Sequence, residues 1–122
     1  MKKLGILIVL SMMMISSYAY SDAASAFATS NGWDDEAQGI PAGYYAYMTY
    51  TLHVYGLGTG SYSYAYVSMD YGVIHSLTGN NTYNKTKTGA MHNGGSVVIM
   101  YAEAKVPRET DGYAFAMAGV RW

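Results

Sequence analysis

Apolar and polar positions alternate with period two along most of the chain after residue 43. In 44–55 the even positions are Tyr44, Ala46, Met48, Tyr50, Leu52 and Val54, and the odd ones are Tyr45, Tyr47, Thr49, Thr51, His53 and Tyr55. Such alternation predicts a strand with one apolar face and one tyrosine–threonine face. GLGTG at 56–60 breaks it as a turn. Alternation resumes over 61–69, with Tyr62, Tyr64 and Tyr66 on one side and Ala65, Val67 and Met69 on the other. A short strand at 73–78, turn chemistry at Gly79-Asn80-Asn81 and a polar, edge-type strand at 82–88 follow. His92-Asn93-Gly94-Gly95 carries the Asn-Gly hairpin signal. Beyond it, 96–106 reads as the most buried strand, with Val98, Met100, Ala102 and Ala104 on one face. PRETDG at 107–112 is a turn, and 113–122 closes the chain with Phe115 and Met117 opposed to Val120 and Trp122. About six strands joined by short turns, with no helical period, predict an all-β domain: a small antiparallel β-sandwich or small barrel.

The first 43 residues read differently. A basic start at Lys2 and Lys3, the apolar run LGILIVLSMMMI and the small residues Ser17 and Ala19 make a secretory signal peptide at 1–19, cut before Tyr20. The run is shorter than the ~20 apolar residues that span a bilayer. Ala24 and Ala26 offer an alternative cleavage after 26. Residues 20–43, rich in Ala, Ser, Asp and Gly, read as a flexible segment, with Asp34-Asp35-Glu36 as a solvated loop. The β domain is then 44–122, in a secreted, extracellular protein.

Composition narrows the partners. Tyrosine accounts for 14 residues against 2 Phe and 2 Trp, while charged residues make up only 12% of the chain, the opposite of a disordered sequence. Cysteine is absent, so sheet pairing, burial or self-association must do what disulfides do in most small exported domains. Once Lys2 and Lys3 leave with the signal, five basic residues face eight acidic ones, a net charge near −3. That balance argues against nucleic acid as a partner and against electrostatic docking on anionic lipid.

Little in the chain points to catalysis. His53, His75 and His92 have no short spacing that suits a metal. No Gly-x-Ser-x-Gly elbow accompanies Asp70 and His75. Glu103, Glu109 and Asp111 read as a solvated hairpin end rather than a glycosidase pair. The expectation is a non-enzyme with no cofactor and no metal. The tyrosine rows are the most specific local feature: Tyr45, Tyr47 and Tyr55 share one strand face, and Tyr62, Tyr64 and Tyr66 share the next. Such rows stack on sugars or partner strands, and they also pair across strands to stabilise a sheet.

The stretch His53-Val54-Tyr55-Gly56, followed by Gly60-Ser61-Tyr62-Ser63-Tyr64, resembles the opening of the lactococcin 972 family of bacteriocins, in which Trp-x-Tyr-Gly precedes a Ser/Tyr-rich strand. His75-Ser76-Leu77-Thr78-Gly79-Asn80 is similar to that family's His-Ser/Gly-x-Thr segment, and the ending from Tyr113 to Arg121-Trp122 to its Trp-terminated C-terminus. The resemblance covers 53–122. It implies a secreted β-sandwich that binds the cell-wall precursor lipid II of related Gram-positive cells and blocks septum formation, meeting the membrane surface through that target. The candidate ligand-binding residues are then Tyr55, Tyr62, Tyr64, Tyr66, His75 and Trp122, with a cell-wall precursor or glycan as partner. The alternative is a non-enzymatic structural, adhesive or self-assembling surface protein, whose weakly charged strand edges pair with further copies. Less favoured is a β pore-former.

Overall fold

The computed structural model describes residues 21–43, 45–70, 72–81, 84–107 and 112–122. The signal peptide at 1–19, Tyr44 and the acidic pair Glu109 and Asp111 lie outside the described residues. The fold is all-β. Its eight strands are β1 (Ser21–Thr29), β2 (Gly32–Ile40), β3 (Tyr47–Leu57), β4 (Tyr62–Met69), β5 (Gly72–Asn80), β6 (Lys85–His92), β7 (Val98–Val106) and β8 (Tyr113–Arg121). They form two four-stranded sheets, ordered β1-β8-β3-β6 and β2-β7-β4-β5. Every described pairing is antiparallel. The order is that of a double-sheet jelly roll.

The alternation seen in the sequence sets the two faces of each strand. Met48, Tyr50, Leu52 and Val54 of β3, Ala65 and Val67 of β4, and Val98, Met100, Ala102 and Ala104 of β7 are buried between the sheets. Their neighbours along each strand, including Thr51, His53 and Tyr55 of β3 and Tyr62, Tyr64 and Tyr66 of β4, turn to the outer faces. Alanine fills much of the rest of the core: Ala24, Ala26 and Ala28 of β1 lie in the same interior as Ala114, Ala116 and Ala118 of β8.

Two expectations are corrected. Residues 21–43 are not a flexible lead-in: β1 and β2 occupy 21–29 and 32–40, so the β domain takes in this segment and has eight strands among the described residues instead of six. Alanine and acidic residues carry low strand propensity, yet both have a place here. The alanines of β1 fit the core, and the acids of β2 serve an edge strand: Phe27 N–H donates to Asp34 Oδ2 at 3.0 Å and Ser25 N–H to Glu36 Oε1 at 3.3 Å. These bonds occupy amides that an edge strand would leave unpaired.

The second correction concerns Asn93-Gly94, which is not a hairpin. It carries the chain from β6 in one sheet to β7 in the other. Of the described strands, only β4 and β5 follow each other within one sheet. Asn93 is 2% exposed and stitches two connections together. Its Oδ1 accepts from Ala46 N–H at 2.9 Å, and its Nδ2 donates to Ser96 O at 3.4 Å. Gly94 and Gly95 follow with φ of 58° and 83°, which glycine adopts without a side-chain penalty. The Asn-Gly pair is turn chemistry put to use in a crossing.

Candidate functional site

The outer faces of the two sheets carry different aromatic arrangements. On the sheet ending in β2 and β5, Tyr62, Tyr64 and Tyr66 follow one another along β4, with ring centroids 6.5 Å and then 5.5 Å apart. Tyr66 stacks on Tyr101 of β7 at 4.9 Å and 24°. Tyr101 donates its hydroxyl proton to Glu103 Oε2 at 2.7 Å, with Asp35 Oδ2 at 3.4 Å. Burial, reinforced by Glu103 and then Asp35, pushes the Tyr101 phenol far above its ordinary pKa. Burial, then Glu103 and Tyr64, also raise that of Tyr62. These rings rest largely on one another, and Tyr66–Tyr101 is a cross-strand pair of the kind that stabilises a sheet.

The other sheet is hollowed. Register aligns Phe27 of β1, Phe115 of β8 and Tyr55 of β3 in one row across three strands. With Tyr113, His53 and Asn84 they line a shallow groove of about 410 Å³. Its rings stand apart at angles: Phe27–Tyr113 at 6.3 Å and 36°, Tyr55–Tyr113 at 5.1 Å and 33°, and His53–Phe115 edge-on at 5.9 Å. Phe27 is 54% exposed. His53 Nε2 is buried and has no hydrogen-bond partner among the described residues.

A second hollow, of about 470 Å³, continues along β8. Its floor is a row of small residues, Ala23, Gly119 and Thr51, aligned across three strands. Met117 stands at its side and Arg121 lines it, while Asp22, opposite the buried Val120, borders it with its backbone carbonyl. A Cβ on Gly119 would lie 3.6 Å from the nearest atom, Ala23 Cβ, so a small side chain fits there and a large one fills the hollow. The two hollows follow one another along the outer face of β8 as a trough, aromatic at one end and lined by Thr51 and Arg121 at the other.

The six residues singled out from sequence do not meet. Tyr62, Tyr64 and Tyr66 share one outer face; Tyr55 lies on the opposite one. Trp122 packs against the core. His75, opposite Val67 in β5, stacks on the buried Tyr50 at 3.9 Å. Burial, and then the charge of Lys87, hold its pKa below the ordinary histidine value. Asp70 does not pair with His75 in the described contacts but accepts from Val97 N–H at 3.3 Å. Among the described residues no group of three or more His, Asp or Glu could hold a metal ion. Sequence reading missed Phe27, Asn84, Phe115 and Gly119. Phe27 alternates with Ala26 and Ala28, a signal hidden by alanine.

No protein-family model matches this chain, and no curated protein does. Solved structures with a similar strand arrangement include the capsid of Helicobacter pylori bacteriophage KHP30, with 15% identity, 86% of this chain and 90% of that chain covered, and a TM-score of 0.46. TmCBM61 in complex with beta-1,4-galactotriose is similar at 14% identity over 88% of this chain and 94% of that chain, with a TM-score of 0.42. The C-terminal CBM6 of LamC from Zobellia galactanivorans is similar at 13% identity over 88% and 94%, with a TM-score of 0.38.

Proposed function

We propose that this is an exported, non-enzymatic adhesive protein that binds a glycan in the trough along β8. The observation that carries this reading is the lining of that trough. Sugar rings present apolar C–H faces and a rim of hydroxyls. Phe27, Phe115, Tyr55 and Tyr113 offer rings to the first, while Asn84, Thr51 and Arg121 offer hydrogen-bonding groups to the second. Binding pockets for small organic ligands combine these elements, an apolar and aromatic lining with a few polar groups that fix orientation.

The test is titration of the exported protein with a panel of soluble oligosaccharides and cell-wall disaccharide fragments, read by calorimetry and by amide shifts. The precursor implied by the lactococcin 972 resemblance belongs in the panel because it too carries sugars. Phe115→Ala and Gly119→Leu should each weaken binding at least tenfold, about 1.4 kcal/mol, the first by removing a ring and the second by filling the hollow. Tyr64→Ser, on the opposite face, should bind as the parent does. No binding across the panel refutes the reading. Loss on Tyr64→Ser, with Phe115→Ala silent, moves the site to the other sheet.

A further inference from the structure

Charge on this small sandwich is sorted by flank. The β1/β2 side carries Asp22, Asp34, Asp35 and Glu36 and no basic residue. The β5/β6 side carries Lys85, Lys87, His75 and His92 and no acidic one. The sorting extends to the seams between the sheets. Asp34 and Glu36 lie opposite Ala104 and Ala102, buried residues of β7, so they point inward from the edge of β2, yet both are exposed. Lys87 and Lys85 lie opposite the buried Leu52 and Val54, so they point inward from the edge of β6, and both are exposed. One seam is therefore lined with carboxylates and the other with ammonium groups.

We infer that the chain assembles head to tail, the acidic β1/β2 flank of one copy seating against the basic β5/β6 flank of the next. Three features favour a second copy as the occupant. Inward-pointing charge on an edge strand discourages pairing of like edges: β2 against β2 sets acids on acids, and β6 against β6 sets lysines on lysines. Pairing of unlike flanks instead sets Lys85 and Lys87 across from Asp34 and Glu36. The strand directions agree as well. Neighbours in both sheets alternate antiparallel, so simple translation of a copy brings its β2 antiparallel to β5 and its β1 antiparallel to β6. Finally, the carboxylates that accept from Ser25 and Phe27 are held in place yet retain further acceptor sites for a lysine. An interface between unlike patches related by translation does not close, and it yields open filaments.

Assembly is measured without sugar, so its failure and that of the glycan reading are separate results. The exported protein is followed by sedimentation velocity and negative-stain microscopy over a range of concentration. Expected are linear chains of graded length at low salt that dissolve near ~1 M NaCl, where charge interactions reach only ~3 Å. The variant Lys85→Glu/Lys87→Glu should keep the parent's circular dichroism and sugar affinity but stay monomeric. Added in substoichiometric amount to the parent, it should shorten the chains, because its intact acidic flank caps a growing end. A parent that stays monomeric at low salt and high concentration overturns the inference. So does a discrete dimer in place of graded chains, or a double variant that assembles as the parent does.

Discussion

Gly89→Ala is a substitution whose sign depends on one packing arrangement. In a strand, replacing glycine by alanine ordinarily gains about 0.5–1 kcal/mol from the stiffer unfolded chain. Here Gly89 lies directly across from Tyr50 in the β3–β6 register. A Cβ would sit 2.8 Å from Tyr50 Oη, 2.9 Å from Cε1 and 3.0 Å from Cζ. The ring is 5% exposed and stacked on His75 at 3.9 Å and 16°, so it has little freedom to retreat. Forcing extra volume into such a site costs about 1–3 kcal/mol. The net effect expected is a loss of roughly 1–2 kcal/mol, or about 5–15 °C in Tm for a domain of this size. Urea unfolding should show a lower midpoint with an unchanged m-value. In a Tyr50→Leu background the same substitution should lose its cost, the coupling expected of residues in contact. A Gly89→Ala protein that is more stable than its parent would refute the reasoning.

Two further outcomes follow from the same structure. His75 has a pKa held below its ordinary value by burial and by Lys87, so the unfolded chain takes up its proton first as pH falls. Its contribution to stability is present above about pH 6.5 and is lost below it, so Tm should drop as the pH falls below about 6.5; His75→Phe, which keeps a ring on Tyr50, should remove that part of the slope. Export should yield a chain that begins at Tyr20, read by intact mass. Cleavage after Ala26 would remove Ser21–Ala26, which pair with Ala116–Arg121 of β8, and a major product beginning at Phe27 would show that β1 is dispensable.

The sequence spelled out faces better than connections. Period-two alternation assigns Leu52, Val54, Val98 and Met100 to the interior and Tyr62, Tyr64 and Tyr66 to the outside, and all are found there. The polar, edge-type strand read at 82–88 overlaps β6, which is an edge of its sheet. Burial leaves its mark on local composition, so one strand suffices to read it. Which strand lies beside which does not. The partners of β8 are β1 and β3, joined through no local turn. The Asn93-Gly94 signal names a tight turn without saying whether the chain stays in its sheet. The trough illustrates the same limit: Phe27, Phe115 and Tyr55 are scattered through the chain, and only the register of three strands makes them a row.

The trough and the charged flanks occupy different parts of the surface, one on a sheet face and the other on sheet edges, so both can act at once. In a head-to-tail chain each copy adds one trough on the same side of the filament. A single shallow site gives modest affinity. Linked sites that engage one polymeric glycan gain effective concentration, and the combined binding can exceed the single-site value by roughly 10²–10⁴. Such a filament also needs broad outer faces that do not collapse onto each other. Tyrosine meets that need better than phenylalanine, since its ring packs across strands while its hydroxyl stays wet. The 14 tyrosines against 2 phenylalanines then have a physical reason: both phenylalanines lie in the trough, where a dry ring face is what a sugar requires.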